Sequence, residues 1–239
     1  MGFMVYFGTG KYFELGDGSP TGQTTQSFYG VWDQNPSGAA PFGRSTLQQQ
    51  QEITKEVSQG FDTNGDGTKD VTYNLRITEK NPVDYAGGKL GWYMDLVDPD
   101  DNQNHGEKQV TDSVLRNGRI IFTTLIPSVD PCDFGGTGWL MELDAETGGQ
   151  PEFPAFDLNG DGLFNQSDYV DLDGDGVGDV PPSGKQSGEG IIAKPGVIAD
   201  PDDDKEYKYA SGSTGNIERT VENAPPGYAG RTSWRELKQ

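Results

Sequence analysis

Three short segments rich in Asp, Asn and Gly have the residue types and the spacing to bind a hard cation. They span 62–70, 157–168 and 171–179, and we number them loops 1, 2 and 3. Each loop has oxygen-bearing side chains at its positions 1, 3, 5 and 9 and glycine at position 6, where the backbone must turn sharply. Ca²⁺ takes roughly six to eight such oxygen ligands, whereas Mg²⁺ prefers to keep several waters. The pattern therefore predicts three calcium sites.

The predicted ligands are the oxygen-bearing side chains of each loop together with the backbone carbonyl at position 7. Loop 2 also has a carboxylate at position 12, whereas loop 1 has Tyr73 there and loop 3 has Pro182, so no loop is a full EF-hand. Asp168 and Asp171 are close enough in sequence that one carboxylate could serve both sites. In chain order the predicted ligands are Asp62, Asn64, Asp66, Thr68, Asp70, Asp157, Asn159, Asp161, Leu163, Asn165, Asp168, Asp171, Asp173, Asp175, Val177 and Asp179.

A single cluster of this composition can be a turn that binds nothing. Three clusters with the same spacing hold ten of the 38 acidic residues, which favours cation-binding loops over simple turns. Carboxylates packed together without one would have raised pKa values and would push the loops open. Dissociation constants on the order of 10⁻⁴–10⁻³ M would suit a site outside the cell.

Composition narrows the function further. The formal net charge of −20 repels phosphate backbones and anionic lipid, so nucleic acid and membrane surfaces are poor partners. A single cysteine and a single histidine, Cys132 and His105, exclude an internal disulfide and a conventional zinc site. No phosphate loop, dinucleotide fingerprint or nucleophile elbow is present, and no segment is apolar enough to span a membrane. The sequence predicts a binding protein and not an enzyme.

The elements that position the loops are predicted to be short strands. Hydrophobic residues make up only 32%, with 35 glycines and 15 prolines, and no segment sustains a helical period. Asn117-Gly118 between two apolar runs predicts a hairpin. The stretch 33–51 is predicted to be loop or solvent-exposed strand. Strands are predicted at 3–7, 27–32, 71–78, 91–97, 114–116, 119–125, 138–143, 196–199, 206–210, 215–220 and 232–237.

A weak internal repeat indicates how the strands are grouped. The run Trp92–Leu96 is similar to Trp139–Leu143, and strand groups recur at roughly 40–50 residues, as in propeller blades. We therefore predict an all-β fold with several antiparallel blades, a partial and modified β-propeller with long calcium-binding loops. Residues 1–239 form one domain in this interpretation, and 156–184 form an acidic insertion that carries loops 2 and 3 in tandem.

Several motifs resemble the C-terminal propeller domain of PilY-type proteins, which are type IV pilus biogenesis proteins and tip adhesins. Together the motifs cover most of the chain, and they are more specific as a set than singly. The resemblance extends over the later part of that domain only. The matching runs are residues 5–12, 26–33, 91–96, 114–127, 130–132, 135–144, 207–212 and 233–237.

The resemblance implies an exported protein at the outer membrane, pilus tip or cell surface, with its export signal outside this chain. It implies a role in pilus extension and retraction, adhesion and surface sensing, tuned by calcium. The implied partners are pilins or minor pilins and a host or abiotic surface. In the family, a Tyr-Val-Tyr-Ala-Gly-Asp-like strand directly follows the regulatory calcium loop. None of loops 1 to 3 has this strand, so the regulatory role transfers to them only by analogy.

Two other interpretations stay open. One is a calcium-dependent surface adhesin or lectin-like propeller that is unrelated to pili. The other is an enzyme, because the run Leu143–Gly148 resembles a repeat of quinoprotein propellers, although no catalytic cofactor site is visible. Neighbouring pilin genes would favour the pilus, and calcium-dependent sugar binding would favour the lectin.

Overall fold

The computed structural model describes residues 2–34, 43–51, 56–200 and 203–224. Within these ranges the chain forms thirteen β-strands and four short 3₁₀ helices, and it contains no α-helix. The 3₁₀ helices span Leu15–Gly18, Arg44–Thr46, Pro131–Asp133 and Gln166–Asp168. The strands are β1 Phe3–Gly8, β2 Gln26–Asp33, β3 Gln48–Gln50, β4 Val57–Phe61, β5 Val71–Arg76, β6 Gly91–Leu96, β7 Val114–Arg116, β8 Arg119–Pro127, β9 Gly136–Asp144, β10 Gly184–Gln186, β11 Gly196–Ala199, β12 Lys205–Ser211 and β13 Ile217–Asn223.

The strands form three sheets. A four-stranded sheet has the order β1-β2-β6-β3, a six-stranded sheet has the order β4-β5-β10-β9-β8-β7, and a three-stranded sheet has the order β11-β12-β13. Every pairing is antiparallel except that of β3 with β6. The predicted all-β class with several antiparallel sheets is confirmed.

The hairpin of β7 and β8 turns at the predicted dipeptide. Asn117 and Gly118 have φ of 53° and 75°, and Arg116 pairs with Arg119 across the turn. Asn and Gly are the residues that adopt positive φ at least cost, so the sequence selects this two-residue turn.

The six-stranded sheet lies between the other two and buries both of its faces. On one face Trp139 and Met141 of β9 pack with Phe28 and Trp92 of the four-stranded sheet. Leu140, which points the other way, belongs to a second apolar cluster that includes Ala210 of the three-stranded sheet and residues of the 155–170 segment. The sequence of a strand that is buried on both faces is a nearly continuous run of apolar residues, and β9 has this pattern.

Charged groups are also buried between the six-stranded and three-stranded sheets. Lys208 is 1% exposed, and its Nζ lies 2.7 Å from Glu142 Oε1 and 3.3 Å from Glu206 Oε1. The same ammonium contacts Glu222, and Arg119 Nε lies 3.1 Å from Glu142 Oε2. Burial lowers the pKa of Lys208, while the carboxylates around it oppose that shift. These paired charges fix the third sheet against the second.

Three strands differ from the sequence prediction. Within 33–51, expected to be loop or solvent-exposed strand, β3 forms and Gln50 is fully buried. Its amide donates to the carbonyls of Asn81 at 2.6 Å and Thr147 at 3.0 Å, so its polar group is satisfied. The strands β4 and β10 were not predicted, and the strand predicted at 232–237 lies outside the described residues. No helix in the described ranges is long and apolar enough to cross a membrane.

Candidate metal-binding loops

The three loops are anchored to the central sheet. Loop 1 joins β4 to β5 and forms the tip of their hairpin, which the pair Phe61 and Val71 closes. Loops 2 and 3 lie in the connection from β9 to β10. Between them, Val170 is fully buried in the core, and its N–H donates to Val180 O at 2.8 Å, which closes loop 3. The acidic loops are therefore held by apolar residues at their ends.

All three loops curl by the same hydrogen bonds. In each, the carboxylate at position 1 accepts the N–H of the glycine at position 6, and this glycine has a φ between 74° and 90°. The side chain at position 3 accepts the N–H of position 5, and that of position 5 accepts the N–H of position 7. The position-6 bonds are 2.7 Å from Gly67 to Asp62, 3.1 Å from Gly162 to Asp157 and 2.9 Å from Gly176 to Asp171.

The loops differ in the carboxylate that closes them. In loops 1 and 3 the position-9 aspartate accepts the N–H of position 2, from Thr63 to Asp70 at 2.9 Å and from Leu172 to Asp179 at 2.8 Å. In loop 2 the position-12 residue Asp168 accepts the corresponding N–H of Leu158 at 2.8 Å. Loops 1 and 3 are thus nine-residue units that do not use position 12, and loop 2 is a twelve-residue unit.

Asn165, the predicted position-9 ligand of loop 2, has a different local role. Its side-chain oxygen accepts the N–H of Ser167 at 2.8 Å and so caps the short helix Gln166–Asp168. The side chains at position 7 are exposed in all three loops, which leaves the carbonyl oxygen as their predicted donor. These position-7 residues are Thr68, Leu163 and Val177.

Asp168 and Asp171 belong to separate loops in the structure, although the sequence allowed one of them to serve both. Asp168 bonds only within loop 2, to the N–H groups of positions 2, 3 and 9. Asp171 bonds within loop 3, to the N–H groups of Gly174 and Gly176. The two carboxylates are held by different backbones and turn toward different loops.

Among the three loops, loop 2 has the most deeply buried carboxylate. Asp168 is fully buried, and that burial raises its pKa to about 6. Burial also raises the pKa of Asp157, while the N–H groups of Gly160 and Gly162 oppose that shift. The Oδ1 atom of Asp157 is inaccessible to solvent and accepts no hydrogen bond of normal geometry. In loop 1 the effect is opposite, because the N–H of Gly67 lowers the pKa of Asp62. A cation in loop 2 would supply the partner that the buried oxygen lacks.

Carboxylate oxygens converge most closely in loop 3, where those of Asp171, Asp173 and Asp179 lie within 4.8 Å of one another. Among the described residues, the other such group is that of Asp98, Asp101 and His105. There His105 Nε2 lies 3.1 Å from Asp101 Oδ2, which is the geometry of an exposed hydrogen bond.

The loops meet around one groove of about 780 Å³, although loop 1 is far from loops 2 and 3 in sequence. Gln59 of β4, a residue that the sequence did not single out, lines this groove and hydrogen-bonds the junction of loops 2 and 3. A glutamine in a short strand without clear alternation gives no sequence signal for such a contact.

Comparison with known proteins identifies relatives of the chain, although no family model matches it. The type IV pilus biogenesis factor PilY1 of Pseudomonas aeruginosa strain PAO1 is 33% identical over 180 residues, covering 70% of this chain and 15% of the relative. PilY1 of strain UCBPP-PA14 is 28% identical over 100% of this chain and 20% of the relative. A PilY1 homolog of Xylella fastidiosa is 34% identical over 62% of this chain and 9% of its own length.

A solved structure has the same fold. The crystal structure of the Pseudomonas aeruginosa PilY1 C-terminal domain superposes with a TM-score of 0.72 at 25% identity, over 94% of this chain and 42% of that chain. Fold and sequence together define an all-β domain of the PilY1 C-terminal type. The predicted resemblance to the C-terminal domain of PilY-type proteins is confirmed. The chain spans about 15–20% of the length of the Pseudomonas relatives.

Proposed function

We propose that this domain binds calcium ions at loops 1, 2 and 3 and acts as a non-catalytic component of the type IV pilus machinery. Its proposed roles are the control of pilus assembly and retraction and adhesion to surfaces. The observation that carries the calcium proposal is the buried Asp157 Oδ1 of loop 2, an anionic oxygen that accepts no hydrogen bond of normal geometry. Such an atom is costly unless a cation satisfies it.

The donor chemistry supports calcium over other metals. All predicted ligand atoms of the three loops are carboxylate, amide or carbonyl oxygens, the ligands that Ca²⁺ takes in a flexible shell. The shared hydrogen-bond pattern already curls each loop, so an ion would bind to a partly organised set of oxygens. When bound, calcium would supply positive charge that offsets the repulsion among the carboxylates.

The arrangement of the sheets supports a propeller-type architecture. The six-stranded sheet packs face to face with a sheet on each side, as a blade does between its neighbours. In this proposal the loops project from the central blade, where they are held by its hairpin and by its β9–β10 connection.

The pilus role rests on the relatives, whose names describe type IV pilus biogenesis factors. The proposed partners are pilins or minor pilins and a host or abiotic surface, and the proposed location is the outer membrane, pilus tip or cell surface. The net charge of −20 is compatible with protein partners and with cations, and it disfavours nucleic acid.

Complementation tests this role. A strain without the gene receives the wild-type gene, a form carrying Asp157→Asn and Asp161→Asn, or a control form carrying Asp84→Asn. Asp84 accepts the N–H of Gly87 in an ordinary turn and lies outside the loops. We expect fewer surface pili and weaker attachment with the loop 2 form only. Normal piliation of the gene-deficient strain would contradict the pilus role, and calcium-dependent sugar binding without a pilus defect would favour the adhesin alternative.

A further inference from the structure

We propose that Gln59 couples the three loops into one cooperative calcium-binding unit. The proposal rests on the calcium binding proposed above and adds how the sites communicate. Gln59 lies on β4, three residues before Asp62, the first residue of loop 1. Its amide is neutral and belongs to no loop, so it acts as a positioning residue and not as a ligand.

The contact of Gln59 is made at the junction of the other two loops. Its Nε2 donates to Tyr169 O at 3.0 Å, and its Oε1 accepts the N–H of Asp171 at 2.9 Å. Tyr169 directly follows the last residue of loop 2, and Asp171 is the first residue of loop 3. One side chain therefore fixes the strand that enters loop 1 against the end of loop 2 and the start of loop 3.

Other contacts complete the unit. The side chain of Gln166 donates to Gly178 O at 2.9 Å and so ties the end of loop 2 to loop 3. Loop 1 approaches loop 2 where a Cβ added at Gly160 would lie 3.6 Å from Thr63 Cβ. Loop 2 is therefore bonded to loop 3, and loop 1 lies close to loop 2. Gln59 links the β4 strand to the junction of loops 2 and 3.

Coupling follows from the entropy of ordering. Most residues of loops 1 and 3 are exposed, so an ion that binds there must restrict ligand side chains that face solvent, which costs conformational entropy. When the first ion orders its loop, the Gln59 amide holds the junction of the other loops in place. The next ion then binds with a smaller loss of conformational entropy. Linkage requires the effect to be reciprocal between the loops.

A calcium titration followed by nuclear magnetic resonance can measure each loop separately. With ¹⁵N-labelled glycine, the position-6 amides of Gly67, Gly162 and Gly176 report loops 1, 2 and 3. Loop 2 is disabled by Asp157→Asn with Asp161→Asn, and the affinity of loops 1 and 3 is measured with Gln59 present and with Gln59→Ala. We expect the loop 2 change to weaken loops 1 and 3 by about fivefold or more when Gln59 is present, and by less than about twofold with Gln59→Ala.

Two further variants sharpen the result. Ser58→Ala, at the exposed neighbouring position of β4, should keep the full coupling. Gln59→Glu keeps the acceptor for Asp171 and loses the donor to Tyr169, so it should reduce the coupling even if Gln59→Ala folds poorly. Equal effects of the loop 2 change with and without Gln59 would overturn the proposal. A wild-type protein without calcium-induced shifts would instead refute the calcium binding on which it rests.

Discussion

At the scale of single residues, the three loops share one internal pattern and differ in the burial of their carboxylates. The types and spacing of the loop residues predicted the curled geometry, since positions 1, 3, 5 and 6 make the same bonds in each loop. The sequence could not show that Asp168 is buried and that Asp70 and Asp179 close their loops at position 9. Burial depends on the core against which a loop packs, and local spacing does not report it.

This difference predicts a pH dependence that separates the loops. Burial raises the pKa of Asp168 to about 6, above its ordinary value, so the carboxyl is protonated as pH falls through 6. Calcium must displace that proton, so binding at loop 2 should weaken between pH 7 and pH 5. Loop 1 should change less, because the N–H of Gly67 lowers the pKa of Asp62 and keeps it ionised.

Titrations at several pH values, followed at the amides of Gly162 and Gly67, check this expectation. The Asp84→Asn protein should match the wild type at every pH. In the Gln59→Ala protein, where the loops are expected to be uncoupled, parallel loss of affinity at both loops would show that the burial of Asp168 does not control binding.

At the scale of elements, aromatic strands and the Asn117-Gly118 hairpin were predictable because their signals are local. The strand β3 was not, because its Gln50 is polar in sequence and is satisfied by carbonyls far along the chain. The charged residues between the second and third sheets were also beyond prediction. The alternating sequence of β12 predicts a strand with one buried, apolar face and one exposed, polar face. In the structure Lys208 and Glu206 are nevertheless buried, because β12 packs against the six-stranded sheet.

The buried charges predict a large stability effect. Lys208→Met would leave Glu142, Glu206 and Glu222 buried with less positive charge, and it should lower the free energy of unfolding by about 3–5 kcal/mol. Urea unfolding measures the change. The control Lys80→Met removes an exposed pair with Glu152 and should cost less than about 1 kcal/mol. Similar losses for the two variants would contradict the structural role of Lys208.

At the scale of the whole molecule, three stacked sheets bring distant segments of an acidic chain to one groove. The class of fold and the resemblance to PilY-type proteins were predictable from motifs spread along the chain. The meeting of loop 1 with loops 2 and 3 was not, because it depends on β5 pairing with β10, which follows loop 3 in the chain. The sheet order therefore converts three separate motifs into one acidic surface.

The central claim is that this surface binds calcium, and the number of ions bound per chain tests it most directly. Native mass spectrometry counts the calcium ions bound to each chain. The spectra are recorded with calcium added to the millimolar range and again after a chelator has removed it. We predict three calcium ions on the wild-type protein and two on the protein carrying Asp157→Asn and Asp161→Asn. A wild-type protein that binds no calcium, or an unchanged count in that variant, would contradict the account.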